Sequence, residues 1–175
     1  MRRYLPLLGV LFLLLLSACG PAEGEKSPEP PEVGPLELEA LAVEVSRGAL
    51  STEELTQAVR ELPEALKAAL ADQGVEAEAI SVSVGSSPEA MAQAVREGGV
   101  DVAFLPAEDY AALEHPPQLL LTAGDGEGAA MVRPEENLSG ERFAQALAAA
   151  VNALREDQPV FGPHDYAWAE PEEAG

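Results

Sequence analysis

Apolar positions along the chain alternate between stretches of period two and stretches of period three to four, which is the pattern of an α/β domain. Residues 36–45, LELEALAVEV, alternate and predict a first strand, with Ser46, Arg47 and Gly48 as its exit. Ser51 followed by Glu54 matches a capping box, and Leu55, Val59, Leu62, Leu66 and Leu70 then recur at threes and fours, giving a helix with one apolar face. Pro63 interrupts that face. A proline inside a helix removes a hydrogen bond and costs about 3 kcal/mol, so the pattern predicts either a kink or two helices, 52–61 and 63–72, ended by Gly74.

Residues 81–110, SVSVGSSPEAMAQAVREGGVDVAFLPAEDY, organise the remainder. Ile80, Val82 and Val84 keep period two, Ser87-Pro88-Glu89 is a helix start, Gly98-Gly99 a stop, and 100–105 an apolar run. They predict a βαβ unit with parallel strands buried on both faces, followed by a short helix. Residues 118–123 and 129–133 flank the turn Gly124-Asp125-Gly126-Glu127-Gly128 as a hairpin. Ser139 is placed as the cap of a last helix that aligns Phe143, Leu147, Val151 and Leu154. From Asp157 on there is no period, and Phe161, Tyr166 and Trp168 are candidates to fold back as packing residues. The expectation is a single α/β domain over 36–156. Its sheet would be mainly parallel, of four or five strands, flanked by helices in a three-layer-like arrangement, with a tail at 157–175.

The chain ends change the picture. Arg2 and Arg3 precede an apolar run at 5–16 that is short for a bilayer span, so residues 1–18 are expected to be a cleaved signal segment. Leu16-Ser17-Ala18-Cys19 resembles the bacterial lipobox, and Cys19 is the only cysteine, so it has no disulfide partner within the chain and is assigned to lipidation. Residues 19–35, rich in Pro, Glu and Gly, are expected to form an extended tether. The formal net charge is −21, and loss of the two signal-segment arginines takes it to −23. That sign argues against nucleic acid or anionic lipid as partner, leaving the lipid anchor as the means of attachment to the extracytoplasmic face of a membrane.

Candidate chemistry is sparse. His115 and His164 sit beside prolines without a nucleophile motif, and no zinc spacing or phosphate loop is present, so neither an enzyme nor a cofactor or metal is expected. Asp125 and Glu127 offer oxygen ligands suited to calcium, but five residues do not define such a loop, and an acidic turn explains them. Asp101 is explained as a turn into a strand. Ser86 and Ser87 lie where free N–H groups and the helix dipole favour an oxyanion. Equally, Ser87 can simply cap the helix with Pro88 in its first position, and Glu89 already supplies a carboxylate there.

With these residues in view, the chain resembles the phosphate, phosphite and phosphonate binding proteins of ABC transporters, a branch of the type II periplasmic binding fold. The match is the strand before Ser86, the segment EAMAQAVREGGVDVAFL, and Pro106 followed by Tyr110. The resemblance implies a lipid-anchored solute-binding protein of an uptake system, a phosphate- or phosphonate-type oxyanion as ligand, and an ABC permease as partner. The resemblance makes Tyr110 a ligand-binding residue, alternatively a core aromatic, and the backbone N–H groups near Ser86 and Ser87, where the family often carries a tyrosine, complete the expected ligand-binding set. The family has two lobes, and this chain corresponds to about one, without the serine- and threonine-rich motif of the second. The alternative function is a non-transporting envelope lipoprotein that uses the scaffold to bind another protein.

Overall fold

A computed structural model of the chain describes residues 34–48 and 50–170. The signal segment, Cys19, the tether up to residue 33 and residues 171–175 lie outside the described residues. All of the elements below belong to one compact unit, Gly34–Gly175.

The elements in order are β1 (Leu36–Ser46), α1 (Thr52–Ala71), β2 (Val75–Gly85), α2 (Pro88–Glu97), β3 (Val102–Pro106), α3 (Ala107–Ala111), β4 (Gln118–Ala123), β5 (Gly128–Val132), α4 (Glu136–Ser139), α5 (Glu141–Leu154), a 3-10 turn (Pro159–Phe161) and β6 (Tyr166–Trp168). The strands form one sheet in the order β2-β1-β3-β5-β4-β6. The α/β architecture holds, but the sheet is mixed rather than mainly parallel and has six strands rather than four or five. β1 pairs in parallel with β2 and β3, while the β3–β5, β5–β4 and β4–β6 pairs are antiparallel. The extra strand comes from the segment expected to be a tail, because the outer edge of β4 offers a row of unpaired backbone groups that Tyr166–Trp168 satisfies.

The organising unit also differs from expectation. β1 lies between β2 and β3, so β2 is an edge strand, and its alternate residues from Ala79 to Ser83 are exposed instead of buried on both faces. Burial on both faces does hold for β3. Val102 and Phe104 face α1 and α5, whereas Ala103 and Leu105 face Met91, Ala92 and Val95 of α2. The layers are therefore α1 and α5, sheet, then α2 and α3.

Helix α1 is not divided at Pro63. Its capping box forms as expected, Glu54 N–H donating to Ser51 and Ser51 N–H to the Glu54 carboxylate at 2.7 Å. Leu62, Leu66 and Leu70, around and beyond the proline, are fully buried. At about 1.5–3 kcal/mol per buried leucine, these three offset the roughly 3 kcal/mol proline cost. Val59 is exposed, and Ala58 takes the inward position next to it. Ser139 does not cap the last helix: it ends α4, its hydroxyl donating to the Glu135 carbonyl at 2.8 Å, and Gly140 occupies the cap of α5.

Asp101, at the entry to β3, is a structural residue. Its carboxylate accepts the Ala42 N–H at 2.8 Å and pairs with Arg133 at 2.8 Å, tying β1, β3 and the end of β5 together. Asn152 of α5 does the same for the tail. Its amide accepts the Tyr166 N–H at 2.8 Å and donates to the Tyr166 carbonyl at 2.9 Å. No helix among the described residues is long and apolar enough to cross a membrane.

Candidate functional site

β1 connects through α1 to β2 on one side, and the chain leaves β3 through α3 toward β4 on the other. The carboxyl ends of these neighbouring strands are thus left uncovered by a crossover, which is the switch point at which open α/β sheets hold ligands. A cavity of about 290 Å³ opens there. One wall is the β1 exit, Ser46, Arg47 and Leu50; the second is the end of β3 with Glu127 and Gly128 at the start of β5; the third is the tail from Pro159 to His164.

The floor is aromatic. Phe104 meets the Phe161 ring edge-on at 5.0 Å and the Tyr166 ring at 5.7 Å, perpendicular to it. The Tyr166 hydroxyl donates to the Phe161 carbonyl at 3.2 Å, and burial, helped by the Asp125 charge, pushes this phenol up to about 12. It stays a neutral donor. Gly128 permits this packing, since a Cβ there would lie 2.6 Å from the Tyr166 hydroxyl oxygen. At the mouth, His164 Nδ1 lies 2.6 Å from Asp125 Oδ2, with only 14% of the His164 side chain exposed despite its proline-flanked position. Its ring rests against Gly162, which has φ of 68° and leaves room that a side chain would fill. Asp125 is held below the usual carboxylate range, first by the Glu127 N–H it accepts and then by His164. The result is a small, mainly apolar pocket with Ser46, Arg47, Glu127 and His164 as its polar groups.

The expected ligand residues are not brought together here. Ser87 caps α2, accepting the Ala90 N–H at 3.2 Å, and the Glu89 carboxylate, kept below its ordinary range by its own N–H and by Ser87, occupies the positive end of the helix. Ser86 lies on a separate open hollow that it shares with Arg47. Tyr110 packs on the α2 side of the sheet with its hydroxyl donating to the Pro117 carbonyl at 2.9 Å, and burial raises its pKa. His115 is exposed, its carbonyl taking the Arg96 guanidinium at 2.6 Å. A larger hollow, about 700 Å³, is bordered by Glu37, Glu39, Glu76 and Glu78 with Lys67 the one basic group opposing them among the described residues, and Lys67 already donates to the Glu78 carbonyl at 2.7 Å, so the hollow repels anions.

Phe161 and Tyr166 of the tail fold back into the core as expected, but their place in a pocket wall and that of Arg47 were not expected from the sequence. One signal was present: of the six aromatic residues beyond the signal segment, three fall within the twelve residues 157–168, a density that a solvated tail does not need. Neither a family model nor a curated protein matches the chain.

Proposed function

We propose that the chain is a lipid-anchored extracytoplasmic solute-binding protein for a small organic oxyanion of the phosphonate class, serving an ABC permease. The observation that carries this reading is the switch-point cavity with Arg47 at its rim. Arg47 presents a planar donor fork suited to a phosphonate or phosphate oxygen pair. The walls Leu50, Phe104, Pro159 and Val160 suit a carbon substituent better than a bare, fully hydrated ion. The tail wall supplies contacts that a second lobe would otherwise have to make. Glu127 on the opposite rim disfavours ligands of high negative charge.

Calorimetric titration of the full chain with methylphosphonate, phosphite and phosphate tests this. The expected order of affinity places methylphosphonate first, and Arg47→Ala lowers it about tenfold or more with the melting temperature unchanged, because Arg47 is exposed. Absence of both heat and thermal shift at millimolar concentration of all three would overturn it. A second reading, a protein interaction module, is favoured by the outer edge of β2, an eleven-residue strand at the end of the sheet. Such an edge accepts a partner strand. A stable co-purifying envelope protein, lost when proline is placed at Val82, would select it.

A further inference from the structure

We propose that Asp125, Glu127 and His164 form a binding site for a divalent transition-metal cation of the Zn²⁺ class at the mouth of the cavity. One ligand atom from each residue lies within 4.8 Å of the other two. A metal with bonds of about 2.0–2.2 Å holds its ligand atoms roughly 3–4 Å apart, so small side-chain rotations complete the set. The frame beneath is fixed by backbone. Gly124 N–H donates to the Asp165 carbonyl at 2.9 Å, and Ala123 pairs with Tyr166, so the acidic turn and the tail are held side by side although 39 positions separate Asp125 from His164.

A hydrogen-bonded Asp125–His164 pair by itself does not account for the third group. Among the described residues the Glu127 carboxylate takes no hydrogen bond or ion pair, yet it stands beside a second carboxylate whose charge repels it. A cation removes that repulsion. It would take the place of the hydrogen bond between His164 Nδ1 and Asp125 Oδ2, atoms that need to separate from 2.6 Å to about 3 Å or slightly more. The remaining Asp125 oxygen keeps its bond from the Glu127 N–H at 3.0 Å and so orients the ligand. An imidazole nitrogen in the set favours Zn²⁺ or Ni²⁺ over Ca²⁺, which takes oxygen ligands. Asp125 and Glu127 are exposed, so the cation enters from solvent, and Glu127 and His164 also line the cavity, which places the metal beside any bound solute.

This inference does not rest on the solute reading, because its probe is the metal alone. The full chain, purified metal-free and without a histidine tag, is titrated with Zn²⁺ and separately with Ca²⁺, by calorimetry and thermal melting. The expected result is one Zn²⁺ per chain with a rise in melting temperature, at least tenfold weaker binding in Glu127→Gln and in His164→Gln, and no change in Glu76→Gln. Glu127 is exposed and its carboxylate takes no hydrogen bond or ion pair among the described residues, so its substitution is expected to leave the fold intact and the test survives if His164→Gln folds poorly. The proposal is overturned if Zn²⁺ fails to bind at millimolar concentration, if Glu127→Gln binds as tightly as the unaltered chain, or if Ca²⁺ binds as well as Zn²⁺.

Discussion

Two regions lie along the carboxyl edge of the sheet, the start of α2 and the switch-point cavity, and they differ in where their polar groups find partners. At the start of α2 the capping groups are satisfied by neighbours in sequence: Ser87 takes the Ala90 N–H, and Glu89 sits on its own N–H and on Ser87. In the cavity the groups come from β1, β5 and the tail, and Arg47 and Glu127 face space instead of a local partner. The first region is closed by the helix-capping chemistry that defines it. The second is held open by packing, since an aromatic floor and a glycine-lined rim keep the side chains apart. A run that looks well suited to an anion can therefore be complete in itself, whereas a site needs groups that the local chain leaves unsatisfied.

The sharpest way to break this contrast is to remove the cavity floor. Phe104 is fully buried and touches both Phe161 and Tyr166, so Phe104→Ala is expected to cost about 3–5 kcal/mol, read as a lowered urea midpoint with the slope unchanged. A loss below about 1 kcal/mol would mean that the cavity is not built on the core. The next effect isolates the tail. Asn152→Ala deletes both hydrogen bonds to the Tyr166 backbone within a helix that tolerates alanine, and the expected cost is about 1–3 kcal/mol. Limited proteolysis should then cut between residues 157 and 165 before it cuts elsewhere in the domain. Uniform protection of that segment in the variant would show that β6 holds the tail without Asn152.

Most of the fold was legible because its signals are local. The capping box at Ser51, the Ser87-Pro88 start, the alternation in 36–45 and the turn at 124–128 each specify an element within a few residues, and each element appears where expected. Pairing order was not legible. Nothing in 80–84 or 100–105 states that β1 inserts between the two strands, and the half-polar alternation of β2, with Ser81 and Ser83 exposed, was the available sign of an edge strand. The same limit hid the site. Tyr110 and Ser87 stand out in sequence because they sit in regular elements, but their hydrogen bonds are internal; His164 and Asp125 sit in loops 39 residues apart and meet only because β6 docks on β4. Likewise the backbone cost of Pro63 is local and legible, while the leucines on either side decide the outcome through burial that depends on the whole sheet.

The smallest effect separates the two regions most cleanly. Ser87→Ala removes the α2 cap and a partner of Glu89, and caps of this kind contribute about 1 kcal/mol, so a modest drop in the unfolding midpoint is expected. Ser87→Asn, which can accept the same Ala90 N–H, should restore it. If the cavity is the ligand site, methylphosphonate affinity changes less than twofold in both variants, whereas Arg47→Ala gives the reverse pattern of lost affinity with unchanged stability. The two measurements have to be made on the same proteins, because a cap loss that loosened the shared hollow between Ser86 and Arg47 would lower both together. A tenfold affinity loss in Ser87→Ala that Ser87→Asn fails to recover, with stability recovered, would place the anion at the helix start after all. In that case the Glu89 carboxylate has to leave the helix end when ligand arrives, and Glu89→Gln should tighten binding.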